Sequence, residues 1–375
     1  MAKAGRNGWM NALADQRTAQ INSFLKSAGN GWDTARRHAL GQDASTRRYI
    51  RLFREDGATA LLMDAPRVES EPCPPDADPV TRARLGWNAM TRLAASRVEA
   101  FVLISRHLRS LGLSAPKIYH FDSANGFALI EDFGDGREFA RLIERGAEDE
   151  TKLYTAAAER LAIVHKASIP NVLSLDGISW PILEFDAVAL GANADLYADW
   201  LRAEVGQGPL TGAERARWER ERDALIAQAV SYPRALTLRD YHAENLLWLP
   251  EGDVGLLDFQ DAVVGWDAWD LAMLTQDARR NVSPEAAEAA ISTFLTLTGQ
   301  SRAAFDERLA VIGALNALRI AGVFSRLQHR DGKPRYGDFQ PRQLHLLAKN
   351  LSHPALAGMA AFVRETTPFV FEARA

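Results

Sequence analysis

A change in hydrophobic spacing near residues 132–137 constrains the fold more than any other feature of this 375-residue sequence. Before it, short apolar segments rich in β-branched and aromatic residues alternate with turn signals, which predicts strands. After it, from about Lys152 onward, apolar residues recur at three- and four-residue steps, which predicts helices. We therefore predict an α+β fold with two domains, a small β-rich one at 1–133 and a larger helical one at 134–375.

The first domain is predicted to contain two helices and four strands. The first helix, "RTAQINSFLKSAG", ends at Gly29, because glycine readily adopts the left-handed conformation that terminates helices. The segments "RRYIRLFR" and "TALLMDAP" flank the turn signal "EDGA" and predict an antiparallel hairpin. A second helix is predicted from Val98 to Leu111, and the segments "KIYHFD" and "GFALIEDFG" predict two further strands.

The second domain has helical periodicity almost throughout. Helices are predicted at Leu153–Val164, Asp195–Val205 and Ala213–Val230, with several more after Pro284. The exception is a pair of short apolar segments, "NLLWL" and "VGLLDF", around the turn signal "PEGD". They predict a small hairpin set into a helical domain.

This hairpin joins two polar motifs, "RDYHAEN" and "LLDF", which carry Asp240, Asn245 and Asp258. Phosphoryl transfer from ATP needs a group that accepts the hydroxyl proton, ligands for Mg²⁺ and groups that hold the triphosphate. Mg²⁺ prefers oxygen ligands and usually takes one or two protein carboxylates. Each motif alone arises by chance in a chain of this length. Joined by a hairpin that brings the asparagine and the second aspartate side by side, they favour a kinase site.

The bulk properties exclude several other classes of protein. A net charge of −4 argues against a nucleic-acid binder, and a single cysteine excludes both an internal disulfide and a thiolate metal site. The N-terminus has no apolar core of a secretory signal, and the apolar stretch Leu309–Phe324 is interrupted by Asn316 and Arg319 and is too short to span a bilayer. We expect a cytoplasmic protein with no membrane association and no obligate protein partner.

The motifs "RDYHAENLL", "GLLDFQDAVVG" and "WDLAMLTQDARR" resemble those of the aminoglycoside phosphotransferase and choline kinase superfamily. Within it, the sequence is similar to the bacterial anomeric kinases that phosphorylate N-acetylmuramic acid and N-acetylglucosamine at C1 during peptidoglycan recycling. The segment "GVFSRLQHRDGKPRY" is the most specific part of a resemblance that covers roughly residues 41–342. It implies a bilobal protein-kinase-like fold, ATP and Mg²⁺ as cofactors, and a small amino-sugar substrate.

The same resemblance implies roles for individual residues. Asp240 corresponds to the catalytic base, and Asn245 and Asp258 correspond to the Mg²⁺ ligands. Asp270, in "WDLA", corresponds to a buried aspartate that supports the catalytic loop through backbone hydrogen bonds, a role compatible with a helix N-cap.

The phosphate-binding groups are less well defined by the sequence. The segment "GQDAST" has one glycine, and Met63 stands where many kinases carry a phosphate-binding lysine. The resemblance favours Ser45 and Arg48 as nucleotide-binding residues. Strand alternation places Arg47 and Arg51 on one face and Arg48 on the other, so the three arginines cannot all bind phosphate, and a solvated charge is the alternative for each.

Two further features concern the nucleotide and the catalytic loop. The segment "LIEDFGDG" fits a hinge whose backbone near Glu131 and Phe133 would bind adenine, and a plain strand-end turn is the alternative. Leu238 stands in place of the kinase catalytic-loop histidine, and Gln260 in place of the glycine of the D-F-G element.

Four residues are candidates for binding the acceptor: Glu184, Arg279, Arg326 and Arg330. An arginine fork suits a carboxylate or a phosphate, and a surface charge is the alternative for each. The rival functions are a kinase for an aminoglycoside, choline or homoserine, and a nucleotide-binding pseudokinase. An aminoglycoside would need an acidic pocket, whereas the C-terminal part of this sequence is rich in arginine.

Overall fold

The computed structural model of the protein describes residues 2–41, 47–66, 77–84 and 97–373. The contacts between its residues divide the chain into two compact units. The sheet unit comprises the described residues of Met1–Glu71, Ala95–Asp135 and Val172–Pro181, and the helical unit comprises the described residues of the remainder. The predicted domains 1–133 and 134–375 stay a prediction.

The sheet unit is built on a five-stranded antiparallel sheet in the order β1-β2-β3-β5-β4. The strands and helices of this unit are α1 (Ala2–Ala28), β1 (Arg36–Ala39), β2 (Arg48–Phe53), β3 (Thr59–Asp64), α3 (Val98–Ser110), β4 (Ile118–Asp122), β5 (Phe127–Glu131), β6 (Val172–Leu175) and β7 (Ile178–Pro181). The hairpin of β2 and β3 and the strands β4 and β5 confirm the predictions. Strand β1 was missed because its sequence, "RRHA", has no apolar alternation.

Helix α1 packs on this sheet through one apolar face. Ile21, Phe24 and Leu25 contact a core that includes Leu52 and Leu129 of the sheet. The helix ends where the sequence predicts, because Gly29 has a φ of +69° and takes the left-handed conformation. Burial of large apolar side chains contributes about 1.5–3 kcal/mol each, so this face holds the helix on the sheet.

The described segments of the helical unit contain ten helices, together with short strands and 3₁₀ turns. The helices are α4 (Phe139–Glu144), α5 (Glu150–Lys166), α6 (Ala187–Trp200), α7 (Gly212–Val230), α8 (Trp269–Thr275), α9 (Pro284–Thr298), α10 (Arg302–His329), α11 (Gln340–Leu351) and α12 (Ala357–Thr366), and a short α2 spans Pro79–Arg84. The helices predicted within α5 and α7 are confirmed. The one predicted at Asp195–Val205 is α6, which begins earlier, followed by a 3₁₀ turn at Leu201–Val205.

Helix α10 lies directly against α6. At Gly322 an added Cβ would come within 2.2 Å of the Leu196 carbonyl carbon, so only glycine permits this approach. Among the described residues, α10 is also the helix that is long and apolar enough to cross a membrane by length and composition, and 72% of its apolar window is buried within the protein. Burial of this kind is typical of a core helix, because the apolar side chains face protein on most sides.

Two antiparallel strand pairs interrupt the helices, and they position the candidate site. The predicted hairpin is present as β9 (Leu246–Trp248) and β10 (Val254–Leu256). A second pair, β8 (Arg234–Thr237) with β11 (Val263–Trp266), was not predicted. In the sequence, β8 precedes the hairpin and β11 follows it. The loop from 238 to 245 therefore begins at the end of one strand and leads into the next.

Candidate active site

The loop after β8 is fixed by one buried carboxylate. Asp270, at the start of α8, is fully buried and accepts hydrogen bonds from the backbone N–H groups of Leu238 at 2.7 Å and Arg239 at 2.8 Å. Arg239 has a φ of +75°, a conformation that costs energy for a residue other than glycine. The two hydrogen bonds to a charged acceptor hold the loop in this conformation.

Asp240 and Asn245 are joined through the backbone of this loop. The side-chain Nδ2 of Asn245 donates to the carbonyl oxygen of Asp240 at 2.9 Å. Because only the NH₂ end of an amide can donate to a carbonyl, this contact fixes which way the amide points. The amide oxygen of Asn245 is therefore turned away from Asp240 and can accept or bind a cation. The carboxylate of Asp240 has no hydrogen-bond partner among the described residues.

Asp258 follows β10, and a backbone hydrogen bond of the preceding residue holds it close to Asn245. The N–H of Leu257 donates to the carbonyl of Asn245 at 3.0 Å, and Asp258 itself has a φ of +54°. Gln260, which is 1% exposed, donates through Nε2 to Asp258 Oδ1 at 2.8 Å. The residue that replaces the expected glycine thus orients the carboxylate.

The donor set of Asn245 and Asp258 fits Mg²⁺ held jointly with phosphate oxygens. It consists of an amide oxygen with a fixed orientation and a carboxylate on the adjacent loop. Within the described part of the chain, no three His, Cys, Asp or Glu side chains are grouped to hold a metal ion by themselves. Mg²⁺ bound through a nucleotide needs only one or two protein carboxylates, so such a group is not required.

Asp240 lines a cavity of about 230 Å³ within the helical unit. Its apolar wall is formed by side chains of α8 and α10 and by the 3₁₀ turn at Pro334–Phe339. The lining residues are Asp240, His242, Met273, Gln276, Asp277, Ala278, Arg279, Arg319, Ile320, Val323, Phe324, Leu327 and Tyr336. A cavity with mostly apolar walls and a few converging polar groups is typical of a small-molecule site.

The polar groups of this cavity are held in place by one another. Arg279 Nη1 lies 3.1 Å from His242 Nε2 and 3.2 Å from Glu244 Oε2. A guanidinium can only donate, so Nε2 of His242 accepts and its proton lies on Nδ1. Asp277 accepts the backbone N–H of Arg279 through Oδ1 at 2.8 Å. These contacts make the segment after α8 a fixed wall of the cavity.

Arg319 approaches the cavity from α10. Its Nη1 donates to Asn316 Oδ1 on the same helix at 3.0 Å. The pKa of Arg319 is lowered to about 10, chiefly by burial and also by the charges of Arg239 and Arg279, while the charge of Asp240 opposes this shift.

The other predicted acceptor residues lie elsewhere in the helical unit. Glu184 is exposed and lies 3.4 Å from Arg234. Arg330 is exposed, pairs with Asp331 at 2.6 Å and stacks over the ring of Trp200. Arg326 is half-buried on the last turn of α10. Of the four predicted acceptor residues, the structure brings Arg279 alone into the lining of the described cavity.

The predicted nucleotide residues belong to the sheet unit. Ser45 lies outside the described residues. Arg48 Nη2 pairs with Asp64 at 2.6 Å, and Arg17 of α1 pairs with the other oxygen of the same carboxylate. Glu131 accepts the backbone N–H of Lys117 at 3.0 Å, and Phe133 follows β5 in a half-buried position.

Arg51 extends from the opposite face of β2, as strand alternation predicts. Its guanidinium pairs with Asp132 at 2.8 Å and with Asp135, both in the segment predicted as a hinge. The hydrogen bond to Asp135, opposed by burial, raises the pKa of Arg51 and lowers that of Asp135.

Sequence reasoning missed His242, Asp277 and Arg319 as site residues. For Arg319 a signal was available, because it is a charged residue inside the apolar stretch Leu309–Phe324. A charge on an apolar helix face is costly unless it serves a partner or a ligand. His242 and Asp277 carry no such local signal.

Comparison with known proteins shows the family of the chain. The sequence model of the phosphotransferase enzyme family matches residues 37–308. The chain belongs to that family. This phosphotransferase is 45% identical over 361 residues, 95% of its own length, to an N-acetylmuramate/N-acetylglucosamine kinase of Caulobacter vibrioides, of which the match covers 98%. It is 30% identical to a kinase of the same name from Pseudomonas aeruginosa, over 88% of this chain and 90% of that one.

Solved structures show the same fold at low identity. A choline/ethanolamine kinase family protein from Mesorhizobium loti matches with a TM-score of 0.55 and 18% identity, over 93% of this chain and 99% of that one. An aminoglycoside phosphotransferase with bound ADP matches with a TM-score of 0.51 and 13% identity, over 83% and 94%. The predicted α+β fold of protein-kinase-like phosphotransferases is confirmed.

Proposed function

We propose that this phosphotransferase transfers the γ-phosphoryl group of ATP to the anomeric hydroxyl of N-acetylmuramic acid and N-acetylglucosamine, giving the sugar 1-phosphate for peptidoglycan recycling. The observation that carries the proposal is the 45% identity over 95% of the chain to a kinase named for those two sugars. The cavity beside Asp240 supports it, because its volume of about 230 Å³ and its mixed lining suit a monosaccharide.

In this proposal Asp240 accepts the proton of the attacking hydroxyl. Its carboxylate lines the cavity, and its position is set by the two hydrogen bonds from the loop backbone to Asp270. An anomeric hydroxyl is more acidic than an ordinary alcohol, so a carboxylate suffices as the base. Most of the rate would come from alignment of the reacting groups and from stabilisation of the phosphoryl charge.

Asn245 and Asp258 are proposed to hold Mg²⁺ on the nucleotide. The fixed amide of Asn245 and the Asp258 carboxylate oriented by Gln260 support this assignment. When bound, the metal neutralises charge on the phosphates. Ser45, Arg48, and the backbone near Glu131 and Phe133 remain proposed contacts of ATP. Arg279 is the proposed contact of the sugar among the four predicted residues, because it lines the cavity and Glu184, Arg326 and Arg330 do not.

The charge of the cavity disfavours an aminoglycoside as acceptor. Its lining contains Arg279 and Arg319 as well as Asp240 and Asp277, so it lacks the excess of acidic groups that a polycationic antibiotic needs. The exposed Glu244 is already paired with Arg279. A sugar without positive charges does not need such an excess.

A kinase assay against a panel of reducing sugars, with phosphorus NMR of the product, tests the proposal. We expect a sugar 1-phosphate from N-acetylmuramic acid and from N-acetylglucosamine. The methyl glycoside of either sugar keeps every other hydroxyl, and we expect no turnover with it because Asp240 would find no anomeric proton. A 6-phosphate product, or phosphorylation of the methyl glycoside, would rule out the proposed acceptor position.

A further inference from the structure

Arg319 is a charged side chain in a cavity without a carboxylate partner. Its one polar partner among the described residues is the neutral amide of Asn316, at 3.0 Å, and no carboxylate of a described residue lies within ion-pair distance of its guanidinium. Arg279, the neighbouring arginine of the same cavity, has Glu244 at 3.2 Å. A partly buried cation that no carboxylate neutralises is costly to the folded protein, and an anionic ligand would remove that cost.

The electrostatics around Arg319 point in the same direction. The positive charges of Arg239 and Arg279 lie close enough to disfavour its charged form, as burial does, and only Asp240 opposes them. Arg319 and Arg279 share one cavity, and two positive charges placed together are typical of a binding site for an anion, because their repulsion does not stabilise the protein. Asp240 does not neutralise the charge of Arg319, because its carboxylate lies beyond ion-pair distance of the guanidinium.

The anion belongs to the acceptor and not to the nucleotide. Asn245 and Asp258, the proposed ligands of nucleotide-bound Mg²⁺, are both described residues and neither lines this cavity. Asp240, the proposed base, does line it. The cavity therefore lies on the side of Asp240 where the hydroxyl to be phosphorylated must enter.

The rest of the cavity suits the hydroxyl, acetamido and methyl groups of an amino sugar. Asp277 is 4% exposed and its Oδ2 has no hydrogen-bond partner, and His242 is 6% exposed and its Nδ1 has none. These atoms offer one acceptor and one donor to hydroxyl or acetamido groups. Ile320, Val323 and the other apolar residues of the α10 wall suit methyl groups.

We propose that Arg319 binds the carboxylate of the acceptor and so determines the preference for N-acetylmuramic acid over N-acetylglucosamine. The two sugars differ by the lactyl ether that carries this carboxylate, and a guanidinium matches it with two parallel N–H donors. The proposal rests on the proposed function, and it adds the residue that separates the two substrates.

The test compares both sugars in Arg319→Met, with Arg302→Met as the matched control. Arg302 lies on the same helix and its exposed guanidinium pairs with Glu288 and Asp306, away from the cavity. In Arg319→Met we expect kcat/KM for N-acetylmuramic acid to fall about 10–100-fold, the range of a charge-assisted hydrogen-bond pair, and that for N-acetylglucosamine to change less than about threefold. The control should change neither.

A second arm leaves the protein intact. The methyl ester of N-acetylmuramic acid keeps the lactyl group but not its charge, and with the wild-type enzyme its kcat/KM should fall by the factor seen in Arg319→Met. This arm remains decisive even where the variant fails to fold. Arg319→Lys keeps the charge but lacks the planar guanidinium. Its kcat/KM for N-acetylmuramic acid should lie between those of the wild type and Arg319→Met.

Two results would overturn the assignment. An equal loss of kcat/KM for both sugars in Arg319→Met would show that Arg319 contributes to the reaction common to both. An unchanged kcat/KM for the methyl ester would show that the enzyme does not bind the carboxylate. A failure of the proposed function looks different, because the wild-type enzyme would then give no 1-phosphate from either sugar.

Discussion

The charged residues of the sheet unit and those around the candidate active site are satisfied in different ways. In the sheet unit, Arg48 pairs with Asp64, and Arg51 pairs with Asp132 and Asp135. At the site, Asp240 has no hydrogen-bond partner for its carboxylate among the described residues, and Arg319 has only a neutral amide. The first arrangement neutralises charge within the protein, and the second keeps charge available for a ligand.

This difference gives a rule that experiments can break. Removing a charge that has an internal partner leaves the partner buried and unpaired, which lowers the free energy of unfolding. Removing a charge that is kept for a ligand should change activity while the stability stays nearly the same. We expect the effects below to decrease from the proposed metal ligands and base of the site to the paired arginines of the sheet unit.

The largest effect is expected for Asp258→Ala. It removes the carboxylate proposed to bind Mg²⁺, so turnover should fall to background, whereas Asn245→Ala should raise the Mg²⁺ concentration needed for half-maximal activity. Titration of Mg²⁺ against turnover measures both, and thermal unfolding of the two variants checks that they fold. Wild-type Mg²⁺ curves for both variants would place the metal on other residues.

Asp240→Asn should lower kcat by about 10²–10⁴-fold, because the amide keeps the shape of the side chain but cannot take the proton. The dissociation constant for ATP and the melting temperature should stay close to wild type. Asp306→Asn is the matched control, since that exposed carboxylate pairs only with Arg302 among the described residues, where surface pairs contribute little. Near-wild-type kcat in Asp240→Asn would exclude Asp240 as the base.

Arg51→Met should lower the free energy of unfolding by about 3 kcal/mol, because it leaves the buried carboxylate of Asp132 without its cation. Urea unfolding measures this value. Arg54→Met is the control from the same part of the chain, since the partner of Arg54 is the exposed Asp56, and its effect should stay below about 1 kcal/mol. Equal stability of the two variants would contradict the distinction between buried and exposed pairs.

The smallest change in stability is expected for Arg48→Met. The side chain of Arg48 is half exposed and Arg17 remains on Asp64, so the loss should be at most about 1 kcal/mol. If Arg48 also binds phosphate, as the sequence predicts, the KM for ATP should rise while stability barely changes. An unchanged KM for ATP would show that Arg48 serves only the ion pair within the sheet unit, unlike Arg319, which is proposed to bind a ligand.

Local patterns in the sequence predicted most of the fold and the centre of the site. The spacing of apolar residues predicted the strands β2 to β5 and the hairpin of β9 and β10. The motifs that carry Asp240, Asn245 and Asp258 lie within twenty residues of one another, joined by that hairpin. Interactions at such short separation depend on turn and strand propensities, which the sequence expresses locally.

Other features depend on contacts between distant parts of the chain. Strand β8, which precedes the loop 238–245, pairs with β11, and Asp270 accepts a hydrogen bond from Leu238, more than thirty residues earlier in the chain. The pairing of β1 with β2 was likewise not visible in the sequence, because its edge strand has no apolar alternation. Tertiary packing selected these pairings from several that the local sequence permits.

The sequence by itself determined the reaction class and the residues proposed to carry it, because those residues follow one another at fixed spacing in a loop and a hairpin. The tertiary structure decided which arginines are neutralised and which face a cavity. Arg48 and Arg51 form ion pairs with carboxylates of other segments. Arg319, on the helix that packs against α6 at Gly322, lines the same cavity as Asp240. The physical reason is that the free energy of a charge depends on its surroundings, which only the folded chain supplies.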